Sequence, residues 1–111
     1  MLFLQIITIF TLFCAPKEIV KQNLITNLKT DNFNVTFQDN VVTASRSDIV
    51  LFKNVVLYVE RKVTFYFRKN VLIVVYESNA KNINMLESEE KNFAIRFIYN
   101  VIQKSDICLA I

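Results

Sequence analysis

Between Phe33 and Tyr76 strand-like segments follow one another with only two or three polar residues between them, and that spacing limits the fold. Residues 33–38 (FNVTFQ) alternate, with Phe33, Val35 and Phe37 on one face. Asp39-Asn40 is a turn signal, because both residues tolerate left-handed backbone. Residues 41–45 read as the returning arm of a hairpin, and polar Arg46-Ser47-Asp48 as a loop. Further strands are expected from residue 49, at 55–59, at 62–68 and at 71–76. The breaks between them are Lys53-Asn54, Glu60-Arg61-Lys62 and Arg68-Lys69-Asn70. A parallel crossover needs a dozen or more residues, so these breaks imply antiparallel hairpins. The 111-residue chain has no Gly, so Asn is expected to fill the turn positions where Gly would ordinarily sit.

Helical patterns flank this region. Residues 16–29 read as a helix with Pro16 at its first position. Glu18 and Lys29 complement the helix dipole, and Ile19, Val20, Leu24 and Leu28 fall near one face. Residues 78–84 form a polar loop in this reading. A second helix is expected over about 85–104, with Glu87, Glu89 and Glu90 as a solvated start and Lys104 in its last turn. Its apolar stripe is Phe93, Phe97 and Val101, flanked by Ala94, Ile98 and Ile102. The apolar tail 106–111 is expected to add an edge strand.

The order helix, five or six antiparallel strands, helix defines an α+β two-layer sandwich with both helices on one face of the sheet. The alternative is a barrel resembling the pleckstrin-homology fold, closed by a C-terminal helix, an analogy of element order only. The chain is 53 % hydrophobic and 21 % charged, the reverse of a disordered composition. Its length suits one domain, over residues 16–111.

Residues 1–15 (MLFLQIITIFTLFCA) carry no charged side chain and read as a leader, either a signal peptide or an uncleaved anchor giving membrane association. The run is shorter than the roughly 20 residues that span a bilayer. It lacks a basic n-region, and Phe13 fits poorly at the third position before a cut at Ala15. A buried N-terminal strand or helix is the competing reading. Cys14 and Cys108 are too few for a disulfide framework, and Cys108 reads as a small buried hydrophobe.

The absences constrain function. Without Gly there is no phosphate-cradling loop, and without His there is no imidazole base or metal ligand. No catalytic residue, metal site or cofactor is therefore expected. The run Glu87-Ser88-Glu89-Glu90 lacks the sharp-turning loop of a Ca²⁺ site. Glu60 and Glu77 become neighbours only if their strands pair with ends aligned, and salt bridges at the surface explain them better.

Two features suggest surfaces. Lys62, Thr64, Tyr66 and Arg68 share one strand face, where Tyr66 could stack a base while the cations hold phosphate. Charged hairpin ends beside cross-strand aromatics explain the same residues without a ligand. Asn34-Val35-Thr36 is a glycosylation sequon, relevant only in a eukaryotic secretory setting. The net charge of +3 is well short of a dedicated nucleic-acid binder. The expected function is a non-enzymatic exported or envelope-associated binding module for a protein or lipid partner, secreted, periplasmic or membrane-associated. One alternative is a subunit of a larger assembly with residues 1–15 as a buried arm. The other is a weak nucleic-acid binder acting through the basic-aromatic strand.

Overall fold

The structure is a computed structural model that describes residues 2–10, 16–69, 71–80 and 87–104. The elements run in the order β1 (Leu2–Phe10), α1 (Lys17–Thr30), β2 (Asn34–Gln38), β3 (Val41–Phe52), β4 (Val55–Arg68), β5 (Val71–Ala80) and α2 (Glu87–Lys104). The strands form one sheet in the order β1-β5-β4-β3-β2, with every neighbouring pair antiparallel. The sheet ends in two different edges, β1 and β2, so the architecture is the open two-layer sandwich and not the barrel.

Side-chain alternation places the core. Val42, Phe65 and Val74 form one cross-strand row and Ala44, Val63 and Tyr76 the next, all buried. Val20, Leu24 and Leu28 of α1 pack on that face, with Ala94, Phe97, Ile98, Val101 and Ile102 of α2 beside them. Burial of each such side chain contributes about 1.5–3 kcal/mol before entropy is counted. The α2 stripe matches the sequence pattern. In α1 only the i, i+4, i+8 line is buried, and Ile19 stands half exposed beside it.

Pro16 is the N-cap of α1, one position before its expected place, and its carbonyl accepts hydrogen bonds from Ile19 and Val20 N–H. The exit from α1 turns on Asn32 at φ 65°. Asp39, Lys53, Asn54 and Lys69 also take positive φ. Two lysines thus share with Asn and Asp the turn positions that glycine would usually occupy.

Three expected breaks lie inside strands. Arg46-Ser47-Asp48 is the middle of β3, and Glu60-Arg61-Lys62 the middle of β4. Ser78 and Asn79 continue β5, so the expected loop starts later. The central region therefore holds one short strand and three long ones, and the fifth comes from residues 2–10 at the N-terminus. These pair with β5 through nine registered positions, Leu2 opposite Ala80 to Phe10 opposite Leu72. Residues 11–15 with Cys14, the loop positions 81–84, and the tail 106–111 with Cys108 lie outside the described residues.

Candidate functional site: a projecting ribbon and its ionic root

The strands of the sheet differ greatly in length. β3 and β4 pair over twelve positions, from Val41 opposite Tyr66 to Phe52 opposite Val55. β2 covers β3 only as far as Ser45, and β5 covers β4 only from Val59 onwards. Residues 49–52 and 55–58 therefore continue as a two-stranded ribbon with no third strand among the described residues. At 3.4 Å per residue it projects about 14 Å. Ile49, Leu51 and Tyr58 are 69–71 % exposed, and Val55 and Val56 are 50–54 % exposed. Ile49 lies opposite Tyr58 and Leu51 opposite Val56, so these four share the sheet face that carries no described helix.

An isolated two-stranded hairpin is marginal in water. This one is anchored at its root by an ionic cluster whose Arg61–Glu90 half is buried and whose Arg46–Asp48 half is part-buried. Arg46 and Arg61 are directly opposed across β3 and β4, a destabilising arrangement by itself. Asp48 lies between them: it accepts a 2.8 Å bond from Arg46 Nη2 and a further bond from Arg61 Nη1. Glu90, 2 % exposed, takes Arg61 Nη2 at 2.6 Å, Arg61 Nε at 3.1 Å and the Tyr76 hydroxyl at 2.8 Å. Arg46 also donates to the Asp31 carbonyl at 2.6 Å. Both guanidinium groups lie over aromatic rings, Arg46 at 4.4 Å from Phe33 and Arg61 at 3.8 Å from Phe93.

The two cations and two anions balance, and the surroundings favour the charged forms of Arg61 and Asp48. Burial opposes the charge on Arg61, but Glu90 outweighs it and holds the guanidinium above its ordinary value. Burial and the neighbouring Glu90 charge push the Tyr76 hydroxyl well up. Burial alone would raise the Asp48 carboxyl, yet hydrogen bonds from Arg46 and Arg61 bring it below the usual range. Arg61, Tyr76 and Asp48 thus keep one protonation state around neutral pH, which suits a structural clamp better than proton transfer.

The sequence pattern found Lys62, Thr64, Tyr66 and Arg68 but not this cluster. All four lie on one face of β4, as the alternation requires. Lys62 and Arg68 are exposed and Tyr66 half-buried, whereas Thr64 is 6 % exposed and so offers no surface contact. Glu77 stands directly opposite Lys62, and exposed Glu60 lies two residues before it on the same face, which weakens the local positive field. Glu60 and Glu77 are diagonal and not opposed, since Glu60 faces Asn79. Asn34 is exposed at the start of β2, and Thr36 of its sequon is exposed too. Glu90, expected at a solvated helix start, is buried, while Glu89 is exposed. Among the described residues, no cluster of three potential metal ligands occurs and no helix is long and apolar enough to cross a membrane.

No protein-family model matches the chain, and no curated protein matches its sequence.

Proposed function

We propose that the chain is a non-enzymatic interaction module that docks a protein partner through the β3–β4 ribbon. The observation that carries this reading is the exposure of Ile49, Leu51, Val56 and Tyr58 together on one face of the projecting element. The largest exposed apolar patch on a monomeric protein is often its functional surface. The ionic clamp beneath it supports a rigid, preformed contact surface, which lowers the ordering cost of binding. The turn Lys53-Asn54 caps the tip with a cation and an amide, favouring a protein surface over deep insertion into lipid. The mutual bonding of Arg46, Asp48, Arg61, Glu90 and Tyr76 supports a structural role for these groups.

Site-specific photo-cross-linking in the native cell tests this. A photoreactive side chain at Tyr58 or Leu51 should give a discrete adduct, and one at exposed Gln22 of α1 should not. Equal adducts at all three positions, or none at Tyr58 and Leu51, would overturn the reading.

Where the module works depends on residues 1–15. Their uncharged apolar character supports an exported or envelope-associated setting. The nine-position pairing of β1 with β5 supports the other role, that of a retained arm. N-terminal sequencing of the mature protein separates the two.

A further inference from the structure

We infer that the open face of the sheet, below the ribbon, carries a binding site for a neutral saccharide. The site is separate from the protein contact proposed for the ribbon.

It follows from the register. Ser45, Lys62 and Glu77 form one cross-strand row over β3, β4 and β5, and Ser47, Glu60 and Asn79 form the next. Strand alternation puts these six side chains on the face that carries no described helix. They line a cavity of about 390 Å³. Small-molecule sites fall at about 300–1,000 Å³. The two serines leave a low floor on β3, and the longer Glu60, Lys62 and Glu77 stand beside it on β4 and β5.

Among the described residues none of the six side chains forms a hydrogen bond or an ion pair, not even Lys62 with the facing Glu77. Their donors and acceptors are open to a ligand, and their chemistry selects it. An ionised carboxylate only accepts hydrogen bonds, an ammonium only donates, and hydroxyls and amides do both. Adjacent hydroxyls of a sugar donate and accept from neighbouring atoms, so they match the whole set. A phosphate or carboxylate ligand would meet two glutamates for one lysine. A metal ion has no group of three ligands among the described residues. An apolar ligand would dry the polar groups without replacing their bonds to water.

The next row on the same face is Ile49 opposite Tyr58, and Tyr58 is 71 % exposed. Two residues along β4 separate it from Glu60, about 7 Å. Its ring offers a flat apolar surface with a polar tip. A sugar ring has the complementary make-up, C–H groups on its face and hydroxyls at its edge.

Retention of the purified full chain on an array of immobilised glycans tests the inference. The array carries neutral oligomers of hexoses, deoxyhexoses and N-acetylhexosamines, and acidic oligomers with uronic or sialic acids. A subset of the neutral glycans should be retained and the acidic ones should not. Ser47→Phe fills the cavity from an exposed position and should weaken retention by about tenfold or more. Glu77→Gln keeps the side-chain shape, removes a charged acceptor and should weaken it too. Gln22→Ala on α1 should change nothing. An array that retains no neutral glycan, or retains acidic glycans equally well, overturns the inference. So does retention indifferent to both Ser47→Phe and Glu77→Gln. Ser47→Phe should leave the Leu51 cross-link in cells unchanged, so failure of the saccharide site and failure of the ribbon contact are read separately.

Discussion

Arg61 in β4 and Glu90 in α2, 29 residues apart, form a two-point ion pair in the protein interior, with Nη2–Oε1 at 2.6 Å and Nε–Oε2 at 3.1 Å. The pair ties the first turns of α2 to the strand from which the ribbon projects. Through Asp48 it reaches the other ribbon strand as well. The sheet thus gains a fixed point where β5 and β1 end and only β3 and β4 continue.

This pair sets the first prediction. Glu90→Leu leaves the buried Arg61 with Asp48 alone, and Arg61→Met leaves the Glu90 carboxylate with only Tyr76. Each should cost about 3–5 kcal/mol, because each strands a buried charge. The double variant should lie closer to wild type than either single one. Urea unfolding at neutral pH measures all four states, and strictly additive losses would contradict the clamp.

Acid stability should depend on Asp48. Its folded pKa is depressed against burial by hydrogen bonds from Arg46 and Arg61. The unfolded carboxyl titrates near 3.9. The stabilisation is therefore present above about pH 4 and is lost as pH falls through the lower folded value. Asp48→Asn should be less stable than wild type at pH 7, and the gap should close in acid. Denaturant midpoints between about pH 2 and 7 give the comparison.

Tyr76 predicts the opposite limb. Burial and Glu90 raise its folded pKa above the unfolded value near 10. Its contribution is complete below about pH 10 and is lost as pH climbs further. Tyr76→Phe should flatten the alkaline decline seen in wild type. An unchanged decline above about pH 10 would assign it to other groups.

The turn at Lys69 carries a local cost. A non-glycine residue at φ 42° is disfavoured by its Cβ. Lys69→Gly should raise stability by about 0.5–1 kcal/mol, the steric relief slightly exceeding the added unfolded-state entropy. Lys69→Val should lower it. Thermal unfolding resolves both signs.

Much of the fold was legible because its periods are clean. The alternation of Val63, Phe65 and Phe67 and the α2 stripe Phe93, Phe97 and Val101 placed the second half of β4 and α2 correctly. The clamp was not legible, because Arg46-Ser47-Asp48 and Glu60-Arg61-Lys62 have the composition of solvated turns. One signal did exist. Leu57, Val59, Val63, Phe65 and Phe67 keep a single odd-numbered phase across Arg61, and a turn would have broken that phase. Glu90 gave no such signal, since acidic residues at a helix start satisfy the dipole without a partner. The ribbon escaped notice because a strand's outward apolar residues look the same in sequence whether another strand covers them or not.

The ribbon as a working surface is tested most directly by changing it in the native host. Leu51→Glu and Tyr58→Glu should shift the chain in gel filtration of fresh lysate from a heavier species to the monomer position. Gln22→Glu on α1 should not. Identical elution of all three variants and wild type would contradict the account.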